Sequence, residues 1–209
     1  MRQASFISIA LAFFSIMNGQ ALICAFSTSI FESITRTGSK SHFLIKQENN
    51  FLGFSAFFGA VLSYYSVSLL TRRAVLVGGH FLMSVLLLLC GHFITIKRHD
   101  YVLGCICGFV MLHQLATGTL MYIYVAEVVT SDSVMGLCLF TMQFGMTLQS
   151  MSATLLLNSK LGVEGLFYVL GSGQVVAFIV LFFFLKETKG LSSKQKKNLY
   201  KPKIEDKED

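Results

Sequence analysis

Charged side chains punctuate this chain only at long intervals. No Asp, Glu, Lys or Arg lies between Arg2 and Glu32, Glu48 and Arg72, Arg73 and Lys97, Asp100 and Glu127, Asp132 and Lys160, or Glu164 and Lys186. A helix needs about 20 apolar residues to cross the roughly 30 Å hydrocarbon core of a bilayer, and each interval is long enough. The pattern predicts six spans: Ser5–Phe31, Phe51–Leu70, Ala74–Ile96, Tyr101–Ala126, Val134–Leu157 and Leu166–Leu185. Most connections are too short for anything but antiparallel neighbours. The one long loop expected is Glu32 to Asn50. The fold class is therefore an all-α, polytopic membrane bundle of six transmembrane helices, with lipid bilayer as its solvent.

Composition agrees. Of 209 residues 54% are hydrophobic and only 13% charged, about half the charged fraction of a soluble domain. The net charge of +6 would point to nucleic acid if the lysines formed a folded patch. Instead Lys186, Lys189, Lys194, Lys196, Lys197, Lys201, Lys203 and Lys207 crowd into the C-terminal stretch, so no nucleic-acid partner is expected. Together with Arg2, Arg72 and Arg73 they outnumber Arg36, Lys40, Lys46, Lys97, Arg98 and Lys160 on the other side. The positive-inside rule then puts both termini in the cytoplasm. Two units are expected: a transmembrane domain over 1–186, and over 187–209 a basic, disordered cytoplasmic tail against anionic headgroups. The first apolar run lacks a small-x-small cleavage site and reads as a retained span, not a signal peptide. Cys24, Cys90, Cys105, Cys107 and Cys138 all fall inside spans without ligand spacing, as small apolar packers.

Polar groups inside the spans are the candidate chemistry, because burying them in hydrocarbon is costly. They are His80, His92 and His113 with Gln20, Gln114, Gln143, Gln149 and Gln174. Two readings stand side by side: they face a cavity and bind a hydroxylated solute, or they bridge helices through interhelical hydrogen bonds. Paired haem ligation is excluded by depth, since at 1.5 Å per residue His80 and His113 lie roughly 9 and 20 Å from the inner helix ends. Gly104-Cys105-Ile106-Cys107-Gly108 is a GxxxG stretch that would allow close helix approach, within the bundle or in a dimer. No phosphate loop, nucleophile elbow or HExxH occurs, so neither an enzyme nor a cofactor or metal site is expected.

Three passages carry a resemblance. Ser27-Thr28-Ser29-Ile30-Phe31-Glu32 is similar to a "YYSTxIFxxAG" pattern. Met121-Tyr122-Ile123-Tyr124-Val125-Ala126-Glu127 is similar to "WxYxxEIFP". Lys186-Glu187-Thr188-Lys189-Gly190-Leu191-Ser192 is similar to "PETKGLS", and Arg72-Arg73 falls where a "GRR" loop is usual. In this order and spacing they resemble the C-terminal six-helix half of the sugar porters of the major facilitator superfamily. The resemblance implies a facilitative carrier of a sugar or similar hydroxylated solute, in the plasma membrane by family default. It also implies a cytoplasmic charge network of Arg72, Arg73, Glu127 and Glu187.

The sugar contacts of that family are altered here. Its seventh-helix "QQLSGxN" aligns so that the glutamines become Ser15 and Ile16 and the asparagine Ala21, with Gln20 one position away. The eighth-helix asparagine becomes Ala56, the tenth-helix acidic or polar contact Gln114 and the tryptophan Tyr122. The eleventh-helix "NW" falls near Gln143-Phe144. The resemblance thus implies a substrate site of Gln20, Gln114, Tyr122 and Gln143, all neutral. Without a membrane carboxylate for proton coupling, facilitated diffusion is favoured over symport. One half alone would leave polar groups against lipid, so a second six-helix half or a homo-oligomer is the expected partner. The alternatives are a fragment of a longer transporter, or a non-transporting membrane interaction or regulatory subunit that kept the fold.

Overall fold

The computed structural model describes residues 2–35, 42–129, 131–157 and 161–200. Ten α-helices follow one another: α1 Arg2–Ile16, α2 Gln20–Ala25, α3 Ser27–Thr35, α4 His42–Leu69, α5 Arg72–Thr95, α6 His99–Leu112, α7 Leu120–Val128, α8 Asp132–Leu157, α9 Gly162–Phe184 and α10 Ser193–Asn198. A six-residue π-helical segment, His113–Gly118, joins α6 to α7. The described residues are helical and connecting segments, with no strand among them.

Five stretches are long and apolar enough to cross a membrane: Gln3–Ala25, Lys46–Leu69, Arg72–Thr95, Asp100–Val128 and Gly162–Phe184. They match five of the six expected spans. The sixth, α8, is 26 residues long but carries Thr141, Gln143, Thr147, Gln149, Ser150 and Ser152, and this polarity keeps it out of that set. The expected long loop is shorter than Glu32–Asn50. Helix α3 runs to Thr35 and α4 begins at His42, since Lys46, Gln47 and Glu48 are good helix formers. Residues 36–41, with Arg36 and Lys40, lie outside the described residues.

α5 is the central helix. It packs chiefly against α9 and α6, while α1 packs on α8 and α4 on α6 and the π-segment. Two apolar cores result. One, towards the end that holds the chain's C-terminal segment, gathers Leu11, Leu76, Leu120, Tyr124, Val125 and Leu181; the other gathers Leu22, Ile23, Met83, Leu87, Phe109 and Phe167. Outward-facing side chains are apolar too: Phe54, Phe57, Phe58 and Tyr65 on α4, Phe140, Phe144, Leu148 and Met151 on α8, Phe182 and Phe183 on α9. An apolar outside around an apolar inside is what a lipid solvent requires.

Close approach is set at glycines other than the expected pair. Gly108 meets only Leu86, and Gly104 meets nothing, so the GxxxG stretch is not a two-glycine contact. Tight crossings lie between α4 and α6, where a Cβ on Gly59 would run into the Met111 carbonyl oxygen, and between α5 and the π-segment, where one on Gly79 would run into Ala116.

Candidate functional site

Two spans are broken, and the breaks face each other. The first span stops at Ile16 and restarts at Gln20, the chain turning at Gly19 with φ 75°, a left-handed conformation that costs glycine little. Asn18 makes the restart possible: its Oδ1 accepts the Gln20 N–H at 2.9 Å, supplying one of the orphan donors of a helix start with a partner. In the fourth span the helix widens into the π-segment His113–Gly118, a distortion often found at functional sites. Across the gap Asn18 Nδ2 lies 2.7 Å from His113 Nδ1. Because the Asn18 oxygen is already used by Gln20, the amide nitrogen donates and Nδ1 accepts, which leaves the ring hydrogen on Nε2.

A cavity of about 200 Å³ opens between these breaks and α8. Ser15, Asn18, Gln20, His113, Gln114, Thr117, Tyr122 and Gln149 supply its polar wall, and Ile16, Ala21, Met142 and Met146 its apolar one. Three expected site residues, Gln20, Gln114 and Tyr122, therefore come together. Gln143 does not. Met142, Met146 and Gln149 set the cavity face of α8, and Gln143, one residue past Met142, is turned by about 100° and is exposed on the outside. Asn18 and Thr117 were missed by sequence reasoning. A signal for Asn18 existed, since Asn-Gly in an apolar run marks a turn. Two cavity atoms are buried without a protein partner: Thr117 Oγ1 and Gln149 Oε1. Buried polar groups normally have partners, so these two stand out in the cavity wall.

Behind the cavity a second histidine is tied differently. His80 and Gln174 are fully buried, with His80 Nδ1 2.6 Å from Gln174 Oε1. The Gln174 amide nitrogen donates to the Phe14 carbonyl at 3.4 Å, so its oxygen accepts and His80 Nδ1 carries the hydrogen. Here the bridging reading of the membrane glutamines applies. This pair joins α5, α9 and α1 between the two apolar cores.

At one end of the bundle the charged residues meet. Arg72 Nε stands 3.0 Å from Glu127 Oε2 as an ion pair, its N–H not aligned into a hydrogen bond. Lys196 of α10 reaches the other oxygen at 2.7 Å, and the buried Thr188 hydroxyl donates to Oε2 at 2.6 Å. Glu187 makes no ion pair with the arginine side chains. Its carboxylate accepts the backbone N–H groups of Arg72 and Arg73 at the start of α5, and those of Thr188 and Lys189. Partial burial alone would raise the Glu187 carboxyl, but the four N–H donors outweigh it and hold it below the usual carboxylate range. The Arg73 guanidinium turns away to the Phe182 carbonyl and ring. Lys189 Nζ does the complementary work on α4, donating to the Ser68 and Leu70 carbonyls at 2.7 and 3.1 Å.

The chain's sequence matches a known family model, described as sugar (and other) transporter, over residues 1–200. The chain belongs to the sugar transporter family. No curated protein matches it significantly. Membership makes the chain a multi-pass membrane protein that carries a sugar or similar solute, and not an enzyme. In this transporter the Lys186–Ser192 passage is the strap of the charged end, its Glu187 and Lys189 holding two helix termini and its Thr188 holding Glu127.

Proposed function

We propose that this transporter is a facilitative carrier of a small, neutral, hydroxyl-rich solute such as a monosaccharide. The observation that carries the reading is the cavity between the two helix breaks. It offers amides, two hydroxyls, an imidazole and a phenol, and no carboxylate lines it. Neutral donors and acceptors suit sugar hydroxyls, while the apolar wall of Ile16, Met142 and Met146 suits a pyranose face. Gln20, Gln114 and Tyr122, with Gln149 and Thr117, are the solute contacts. The charged end, Arg72–Glu127–Lys196 with Glu187, closes the cytoplasmic side in one state of the transport cycle, with both termini in the cytoplasm and the plasma membrane as its location.

At about 200 Å³ the cavity is smaller than the 300–1,000 Å³ of most ligand sites. A second six-helix unit, from a longer chain or a second copy, completes it. Gln143 and Thr147 are exposed among Phe140, Phe144 and Leu148 on the face of α8 turned away from the cavity, and they mark a separate helix–helix contact. Polar side chains on a lipid-facing stripe are typical helix–helix glue.

The test is D-glucose uptake into proteoliposomes, with and without an imposed pH gradient. Saturable uptake that is independent of the gradient, and weakened at least about tenfold by Gln114→Ala, is the expected result, a fold-loss set by one to two neutral hydrogen bonds. Gradient-driven accumulation would replace facilitation by symport. No uptake of any neutral solute would favour the non-transporting interaction subunit.

A further inference from the structure

The Asn18–His113 hydrogen bond joins two helix discontinuities that are 95 positions apart in sequence. Asn18 is 1% exposed, and both residues line the cavity. Helix α2 packs on α8, and the Gln20 side chain is not tied to the π-segment: its Nε2 reaches the Cys24 sulfur at 3.4 Å within α2 itself. On the other side, the helix passes from α to π pitch at His113, whose own N–H still bonds back to the Phe109 and Val110 carbonyls, so the change of pitch begins at the clamped residue. One amide thus does two tasks. Its oxygen starts α2 through the Gln20 N–H, and its nitrogen grips the π-segment through His113.

We propose that Asn18 and His113 are the positioning pair of the cavity, clamping the Gln20 wall against the Gln114 wall so that both face one solute. The clamp acts through its neighbours: Asn18 lies two residues before Gln20, and His113 directly precedes Gln114. In its consequence for uptake the inference rests on the transport reading above; in its structural consequence it stands alone.

Two measurements separate these. Amide hydrogen exchange in nanodiscs needs no solute. Asn18→Leu is expected to speed exchange not only at α2 but also across residues 113–120, and His113→Phe to speed it at residues 19–25. His113→Gln, which keeps an acceptor for the Asn18 amide, is expected to restore slow exchange at α2. Faster exchange confined to the mutated side, or no rescue by glutamine, would overturn the clamp. In D-glucose uptake each single variant is expected to raise KM about tenfold with little change in kcat, as for lost ground-state positioning. The double variant Asn18→Leu/His113→Phe should be no worse than either single one. Additive losses would mean that the two residues bind solute independently, and that also sinks the proposal. If the wild-type protein takes up no D-glucose while exchange behaves as stated, the clamp stands and the transport reading fails.

Discussion

Glu187 shows how much one carboxylate does at a helix start. The first N–H groups of α5 have no intrahelical partner, and Thr71 in the N-cap position gives no side-chain bond. Glu187 supplies the missing acceptor from 115 residues away, and its negative charge also suits the positive end of the helix dipole. The folded carboxyl lies below the ordinary glutamate value of 4.5. A depressed folded pKa contributes stability that is fully present above the unfolded value and is lost as pH falls through the folded one. Thermal melts in detergent should therefore show wild type losing stability below about pH 4.5, the window set by that depression. Glu187→Gln should start lower at neutral pH and follow a flatter curve; an identical acid slope in both proteins would rule out this role. The "PETKGLS"-like passage led to the expectation that Glu187 belongs to a charge network with Arg72, Arg73 and Glu127. It did not tell that backbone N–H groups, and not the Arg72 and Arg73 side chains, would be its partners, because such partners depend on where the α5 start comes to rest.

Elements were legible where the solvent alone selects them. Five spans follow from runs of uncharged residues, since a helix is the only open segment that satisfies its own backbone in hydrocarbon. The tail was not legible in the same way. Residues 187–200 were expected to be part of a disordered tail against lipid headgroups, yet Ser192 caps α10 in a reciprocal capping box with Gln195. Tyr200 is 4% exposed, and its hydroxyl lies 2.6 Å from that of Tyr124 and accepts the Lys186 N–H at 2.9 Å. Burial raises the Tyr200 phenol above its ordinary value, so it stays protonated and able to serve as both donor and acceptor. Charge density in the sequence hid this anchor, because one buried tyrosine outweighs several solvated lysines in deciding where a short segment docks. Residues 201–209 lie outside the described residues. Tyr200→Phe keeps the ring but strips the Lys186 N–H of its acceptor. A loss of about 1–3 kcal/mol is expected, read as a lower melting temperature with faster tryptic cleavage at Lys194 and Lys197. An unchanged melting temperature and unchanged cleavage would show the hydroxyl to be incidental.

At the scale of the whole molecule, the polarity of α8 separates it from the other long helices. Its inner face lines the cavity through Met142, Met146 and Gln149, and its outer face carries Gln143 and Thr147. A second copy of the chain belongs on that outer face, beside the unit that completes the cavity. Light scattering of the detergent-solubilised chain should then report a dimer, and Gln143→Leu should shift it towards monomer by removing an interhelical hydrogen bond worth about 1 kcal/mol in a membrane. A wild-type monomer at all concentrations would confine any partnership to a different chain. Placing Gln143 in the solute site was a reading of alignment; a single residue of helical rotation moved it from cavity to surface.

Hydrophobic patterning by itself determined that this is a helical membrane protein and where five of its spans run. The motifs determined its family. Those properties are set by short stretches acting on their own in lipid, so a linear reading recovers them. Tertiary structure alone decided that two helix breaks meet, that Asn18 pairs with His113, that Glu127 takes a cation from α10, and that Gln143 faces outward. Each of these depends on side chains tens of residues apart reaching hydrogen-bond distance, and helix rotation and packing fix that distance, not local sequence.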